Sequence, residues 1–200
     1  MKSTLVPQTE RRKNKIISVI NFRQPSLKIV LENIHDPHNV SAIFRTCDAV
    51  GVPKVSLVYY QEAFPKIGKK SSASAFKWVE REKFKSIEEC YSSLKEDGFD
   101  IYSSSISDES VSLYELDLTK KSAIILGNEH RGVSDSAANL ADKKFIIPMF
   151  GMVQSLNVSV AAAIILYEAL RQRMEAGMYN VPGYSNDELK EKINQWTFRK

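Results

Sequence analysis

The sequence predicts an α/β fold, a parallel sheet flanked by helices on both faces. β-rich runs alternate with segments of helical period, the pattern that builds such a sheet. The 200 residues suffice for one well-packed domain and are short for two. Glycines at 51, 98 and 177 punctuate the helix ends. Sheets of this kind bind ligands beyond the carboxyl ends of their strands, so chemistry is sought in the segments that follow strands.

Taken in order, residues 8–22 pattern as a basic amphipathic helix, with Ile16, Ile17, Val19 and Ile20 on one side. Leu27–Glu32 is a short β-rich run, followed by a polar loop with Pro37. Asn39 is expected to cap the next helix, where Ala42, Ile43, Thr46, Cys47 and Val50 recur at helical spacing. Lys54–Tyr60 is the next strand. From Gln61 to Ala75 the chain is polar and basic, with Lys66, Lys69 and Lys70, and reads as a long surface loop. Ser86 and Glu89 are spaced for a capping box on a helix ending at Gly98. Strands recur at Phe99–Ser103, Ala123–Leu126 and Lys144–Ile147, with a short helix near Ser134–Leu140 between the last two. Asn157–Ala176 reads as the longest helix. A final amphipathic helix begins near Ser185, with Leu189, Ile193 and Trp196 at i, i+4 and i+7.

The net charge of +4 permits a nucleic-acid partner without requiring one. Cys47 and Cys90 both fall on expected helices, so they read as buried, reduced thiols. The N-terminal residues lack the apolar core of a signal peptide. The stretch from Ile146 to Tyr167 is apolar, but Pro148, Gly151, Gln154, Ser155, Asn157 and Ser159 make it core rather than a membrane span. A cytoplasmic protein with no membrane partner is expected.

Three polar clusters sit at strand ends or helix starts. In the first, Asn39 and Arg45 lie six apart, less than one turn out of phase, with Ala42 between them. Arg45 also reads as an ordinary surface arginine paired with Asp48 or Asp36. The second, Gly127-Asn128-Glu129-His130-Arg131-Gly132, follows a strand but lacks the Lys-Ser/Thr of a P-loop and the glycine spacing of a Rossmann turn. Taken alone, Gly127 is a tight-turn residue there and Glu129 an exposed loop carboxylate. In the third, Ser155 and Asn157 precede an apolar helix, so capping explains both. A helix N-terminus can also orient a carboxylate, phosphate or ribose. His35 and His38 have no cysteine near them to complete a zinc set, and there is no Gly-x-Ser-x-Gly elbow.

In this order and spacing, NVSAIFRTCDAVGV, ILGNEHRGVS and IPMFGMVQSLNVSVAAAIILYEALRQR resemble the three motifs of the SpoU family of RNA ribose methyltransferases. The resemblance covers most of residues 27–176. It implies a sheet whose C-terminal segment forms a deep trefoil knot in roughly residues 123–176, something that generic topology rules vote against. It divides the chain into an N-terminal helical extension (1–24), the methyltransferase domain (25–176) and a C-terminal helical extension (177–200).

The resemblance also implies S-adenosylmethionine as methyl donor, no metal, a homodimer and RNA as substrate. Arg45 becomes the residue expected to carry catalysis, with Asn39 orienting it or the RNA backbone, and Glu129, Ser155 and Asn157 completing the site. Ser104, Gly127, Ile147, Met149 and Leu156 are expected around the cofactor, Ser104 standing where relatives often have threonine. The third motif and the two extensions favour tRNA, at guanosine 18 of the D-loop. The same reaction on ribosomal RNA or another tRNA nucleotide, and a non-catalytic RNA-binding role, are the alternatives. Arg11, Arg12, Lys13 and Lys15 at one end and Lys190, Lys192, Arg199 and Lys200 at the other, with Trp196 and Phe198, are expected to meet RNA phosphates, as are the loop lysines. A ribose 2′-hydroxyl is a weak acid, and an arginine with a pKa above about 12 is a poor base. Two roles for Arg45 stay open: passing the proton on to phosphate, or positioning the hydroxyl and stabilising developing charge.

Overall fold

The computed structural model describes residues 9–64 and 75–197. Its strands are β1 (Leu27–Glu32), β2 (Lys54–Val58), β3 (Glu80–Phe84), β4 (Asp100–Ser104), β5 (Val111–Ser112), β6 (Ser122–Leu126) and β7 (Lys143–Ile146). They join in the order β3-β2-β1-β6-β4-β7-β5, and every pairing is parallel. Between them run α1 (Glu10–Asn21), α2 (Pro37–Val50), α3 (Ile87–Glu96), α4 (Asp135–Leu140), α5 (Val158–Glu175) and α6 (Asn186–Thr197).

The central strands are buried on both faces. Leu27, Ile29 and Leu31 of β1, with Ile124 and Leu126 of β6, pack with residues of α2 and α5, including Val40, Phe44, Ile165 and Leu166. Their neighbours Val30, Ala123 and Ile125 turn to the other face and meet Cys90, Tyr91 and Leu94 of α3 and Ala137 of α4. Alternation across the pleat thus fills two cores from one sheet. Cys47 and Cys90 are both buried and unpaired, and burial pushes both thiols up. No helix of the described residues is long and apolar enough to cross a membrane. The apolar stretch after Ile146 is split between a loop and the start of α5.

Several sequence expectations are corrected. The first helix spans Glu10–Asn21 and is capped by Thr9; residue 8 lies outside the described residues. Asp36, not Asn39, caps α2, with its carboxylate accepting from the His38 N–H and Pro37 leading the first turn. That frees the Asn39 side chain for other work. Only half of the expected capping box forms: Ser86 accepts from the Glu89 N–H, while the Glu89 carboxylate takes the N–H of Lys85 rather than that of Ser86. Two strands escaped the sequence reading. β3 is a charged edge strand, Glu-Arg-Glu-Lys-Phe, with no apolar run to betray it. β5 has only two residues. The expected surface loop gives way at Ala75 to a short 3₁₀ turn, Ala75–Lys77. Lys66, Lys69, Lys70, Phe198, Arg199 and Lys200 lie outside the described residues.

The terminal helices pack together. Ile16, Val19 and Ile20 of α1 meet Leu189, Ile193 and Trp196 of α6, with Trp78 and Tyr184 completing the cluster. Arg23, almost fully buried, pins this cluster to the sheet layer. It pairs with Asp48 at 2.5 Å, donates to the carbonyls of Val52 and Trp78, and lies over the Trp196 ring. Gly51 ends α2 at φ +85°, and a Cβ there would lie 2.6 Å from the Phe22 carbonyl oxygen, so this turn also requires glycine for space.

Arg173, near the end of α5, is fully buried among neutral acceptors. It donates to the carbonyls of Leu118, Ser26 and Lys120, to Ser26 Oγ and to Gln24 Oε1. Burial lowers its pKa to about 10, still high enough to keep it charged at neutral pH. One side chain thereby ties α5 to the segments entering β1 and β6. Arg173→Met keeps much of the stem but orphans these acceptors, each worth roughly 1–3 kcal/mol when buried without a partner. Urea unfolding should show a loss of at least about 3 kcal/mol at an unchanged m value. A loss under about 1 kcal/mol would refute this role.

Candidate active site

The segment that follows β6 folds back on itself. Asn128 and Gly132 form an isolated antiparallel bridge, closed by the Gly132 N–H donating to the Asn128 carbonyl at 2.8 Å. The nearly buried Asn128 side chain accepts from the N–H groups of His130 and Arg131 and donates to the Asn33 carbonyl. Gly127, read from sequence as a tight-turn residue, precedes the turn with a φ that is not positive. It is glycine because a Cβ would lie 2.1 Å from the carbonyl carbon of Gly132 and from the nitrogen of Val133. No rotamer relieves a clash between backbones.

Glu129 is far from an idle loop carboxylate. It accepts the backbone N–H of His35 at 2.8 Å, that of Asp36 at 3.1 Å and the Asn39 side-chain amide at 2.8 Å. Burial alone would push its carboxyl up, but the hydrogen bonds from Asn39, His35 and Asp36 outweigh that and hold it below the usual glutamate range. Glu129 is therefore ionised at neutral pH.

An ionised carboxylate only accepts, so it fixes the amide of Asn39 with the nitrogen toward it. The Asn39 oxygen then faces Asn157 and accepts from the Asn157 amide at 3.1 Å. The Asn157 oxygen, turned the other way, takes the N–H and hydroxyl of Ser159 and caps α5. Both ends of the chain Glu129–Asn39–Asn157 demand the same amide orientations. The capping role expected for Asn157 holds, but it is only half of what the side chain does.

These groups stand beside a cleft of about 860 Å³ at the carboxyl ends of β4, β6 and β7. Ser104, Gly127, Ile147, Met149 and Leu156 all line it, and so do Glu129, Ser155 and Asn157. Asn39 is joined to it through Glu129 and Asn157. The volume suits a small-molecule ligand, and the walls mix apolar side chains with hydroxyls, a carboxylate and irregular backbone. Asp135, Arg131 and Lys144 line it too, so the walls offer charges of both signs, and the close approach of Gly127 to Gly132 gives the cleft a rigid edge.

Arg45 is not brought to this network within the chain. Six residues along α2 place it about 120° around the axis from Asn39 and about 9 Å further on. It is exposed, opposite the buried side formed by Val40, Ile43, Phe44 and Cys47. The ion pairs expected for it do not form among the described residues, because Asp48 is taken by Arg23 and Asp36 by the α2 cap.

Sequence reasoning missed Asn33 and Asn128, which hold this wall of the cleft from behind. Asn33 has φ +50°, and its side-chain oxygen accepts from the N–H groups of Tyr60, Gln61 and Glu62. An asparagine directly after a β-rich run was the available signal, since it tolerates that conformation better than most residues.

Replacing Glu129 with Gln leaves one acceptor oxygen for three donors. The variant should lose about 1–2 kcal/mol at neutral pH, allowing for solvent at a half-buried site. Because the folded-state pKa is depressed, the difference from wild type should be full above the ordinary value of 4.5 and fade as pH falls through the lower folded value. Denaturation between neutral pH and about pH 3 measures it, and a difference that grows on acidification would refute the network.

Comparison with known proteins adds independent findings. Residues 26–167 match the model of the SpoU rRNA Methylase family. The chain is 44% identical over 189 residues to the tRNA (guanosine(18)-2′-O)-methyltransferase of Thermus thermophilus, covering 94% of this chain and 97% of that one. Among solved structures it is similar to the A. aeolicus TrmH/SpoU tRNA modifying enzyme, with a TM-score of 0.89, 42% identity and coverage of 94% and 96%. An AdoMet-bound rRNA methyltransferase from Sinorhizobium meliloti is similar at a TM-score of 0.64 and 25% identity, over 78% of this chain and 59% of that one.

Proposed function

The chain belongs to the SpoU rRNA Methylase family, and on that footing we propose that it transfers a methyl group from S-adenosylmethionine to the ribose 2′-hydroxyl of guanosine 18 in tRNA. The observation that carries this reading is the near full-length match to a guanosine-18 enzyme at 44% identity, joined to a cleft that gathers the cofactor-binding candidates and three of the catalytic candidates.

Ser104, Gly127, Ile147, Met149 and Leu156 hold S-adenosylmethionine, whose sulfonium makes the transferred methyl group electrophilic without a metal. Residues 25–176 form the methyltransferase domain, and about 123–176 carry a deep trefoil knot. The placing of β7 between β4 and β5, next to the earlier part of the chain rather than at a free edge, supports that threading. The helices in residues 1–24 and 177–200 are the extensions that meet tRNA, with the exposed Arg11, Arg12, Lys13, Lys15 and Lys190 facing phosphates; of the residues expected there, Lys192 instead pairs with Glu80 and Trp196 is buried between α1 and α6. The protein acts in the cytoplasm.

Arg45 positions the 2′-hydroxyl and stabilises the negative charge that develops on its oxygen. A guanidinium stays protonated, so it serves by charge and by its fork of N–H donors. Asn39 orients the bound ribose, and Ser155 and Asn157 complete the wall. In-line attack demands oxygen, methyl and sulfur in register, which a rigid wall secures. Incubation with labelled S-adenosylmethionine and bulk tRNA should transfer label, and mass spectrometry should place it on the ribose of guanosine 18. Arg45→Lys keeps charge but loses the fork, so transfer should fall at least about a hundredfold, the span of lost oxyanion-type stabilisation, while cofactor binding persists. Full activity in that variant would remove Arg45 from the mechanism.

The protein works as a homodimer. Val160, Tyr167 and Met174, each seven residues from the next, leave an apolar exposed line along α5, and the adjoining loop exposes Phe150, Met152 and Val153. Large apolar patches of this kind mark association surfaces. A second subunit placed there would bring the partner subunit's Arg45 to the Ser155–Asn157 turn, which this chain's own Arg45 does not reach. Light scattering should give a dimer for wild type and a shift toward monomer for Tyr167→Glu, with methyl transfer lost in parallel. A fully active monomer would refute this arrangement.

A further inference from the structure

The segment from Gly127 to Val133 forms a wall of the large cleft, and residues 128 and 131–134 bound a second cavity of about 250 Å³. That cavity is lined by Glu32, Asn33, Tyr60, Asn128 and Ser134 among others. Three points of the chain from Asn128 to Ser134 are gripped by the end of β1 and the β1–α2 connection. Asn128 donates to the Asn33 carbonyl at 2.7 Å, Glu129 takes the N–H groups of His35 and Asp36, and the Ser134 N–H donates to Glu32 Oε2 at 2.9 Å. The last grip is chemically odd. Glu32 is a carboxylate only 2% exposed, and its remaining hydrogen-bond partner among the described residues is the hydroxyl of Tyr60, at 2.5 Å. It enters no ion pair among the described residues. Burying an unpaired carboxylate costs stability, so the fold alone gives little reason for it.

We propose that Glu32, held by Tyr60, is a positioning residue that clamps the far end of the 127–134 segment and so sets the cofactor-facing wall of the cleft. The inference rests on the methyltransferase reading and adds a residue to it. β1 is a central strand, so Glu32 projects from one of the most rigid parts of the sheet. Tyr60, just past the end of β2, fixes the direction of the carboxylate by donating to Oε1, which leaves Oε2 aimed at the Ser134 amide. Ser134 in turn caps α4, accepting from the Ala137 N–H. With the Glu129 contacts holding one end and Glu32 the other, the segment between them cannot spread.

The role is geometric. In Glu32→Gln the amide oxygen can accept from Ser134 and the amide nitrogen can donate to the Tyr60 oxygen, so both contacts survive without the charge. Glu32→Ala removes both. The test is calorimetric titration of each purified full-length variant with S-adenosylmethionine, alongside hydrogen exchange on the free protein. Glu32→Ala should bind the cofactor at least about tenfold more weakly and speed amide exchange in residues 128–134, with β1 and β6 unchanged. Glu32→Gln should stay within about threefold of wild type in affinity and match its exchange. Wild-type affinity and exchange in Glu32→Ala would overturn the proposal, as would a Gln variant as weak as the Ala one. If Glu32→Ala does not fold, Tyr60→Phe carries the test, with a loss of affinity of roughly two- to fivefold expected and no loss overturning it. Failure of wild type to bind S-adenosylmethionine would sink the functional reading instead, while the exchange data would still decide the clamp.

Discussion

A single half-buried carboxylate organises the wall of the cleft. Glu129 faces two backbone N–H groups and one side-chain amide, more donors than a neutral group of its size could serve. Its charge is what makes that crowding favourable, and the crowding keeps the charge. From this point the orientations of Asn39 and Asn157 follow without freedom, and with them the start of α5. The β1–α2 connection, the turn after β6 and the N-terminus of α5 are distant in sequence, yet they meet here through amide and carboxylate groups of fixed polarity.

That wall is possible because backbone approaches backbone without side chains between. Gly127 lets the chain leave β6 within contact distance of Gly132 and Val133, and Gly132 takes a left-handed conformation at φ +70°. The buried Asn128 side chain then serves the amides of His130 and Arg131, although the turn itself is exposed. The all-parallel sheet supplies the platform. Its strands deliver Ser104, Gly127 and Ile147 to the same end, so residues far apart in the chain share one cleft.

The arginines show how context assigns roles. Arg23 and Arg173 are buried, the first paired with Asp48, the second serving neutral carbonyls that close the sheet's entry side. Arg45 stays exposed and pairs with no carboxylate among the described residues, because Arg23 has already claimed Asp48, the acid nearest to it on α2. The two buried arginines thus spend most of their donors inside the fold, Arg23 Nε excepted, while the Arg45 fork is turned to solvent.

Residue order was enough to read the α/β class, the parallel sheet, most elements to within a residue or two and the buried thiols, while the family resemblance supplied the site candidates, of which Asn39 and Arg45 do not line the cleft. Those are legible because apolar periodicity and capping act over a few neighbouring residues, and because the three motifs are contiguous. Three-dimensional packing was needed to explain why Gly127 is glycine, that Asp36 rather than Asn39 caps α2, that Glu129 is a hub, and that Arg45 points away from Asn39. It also disclosed the charged edge strand β3 and the grips of Glu32 and Asn33. Each of these depends on which distant group occupies a neighbouring place. Hydrogen bonds such as those of Glu129, made across 90 to 94 residues of chain, leave no periodic trace in the sequence that makes them.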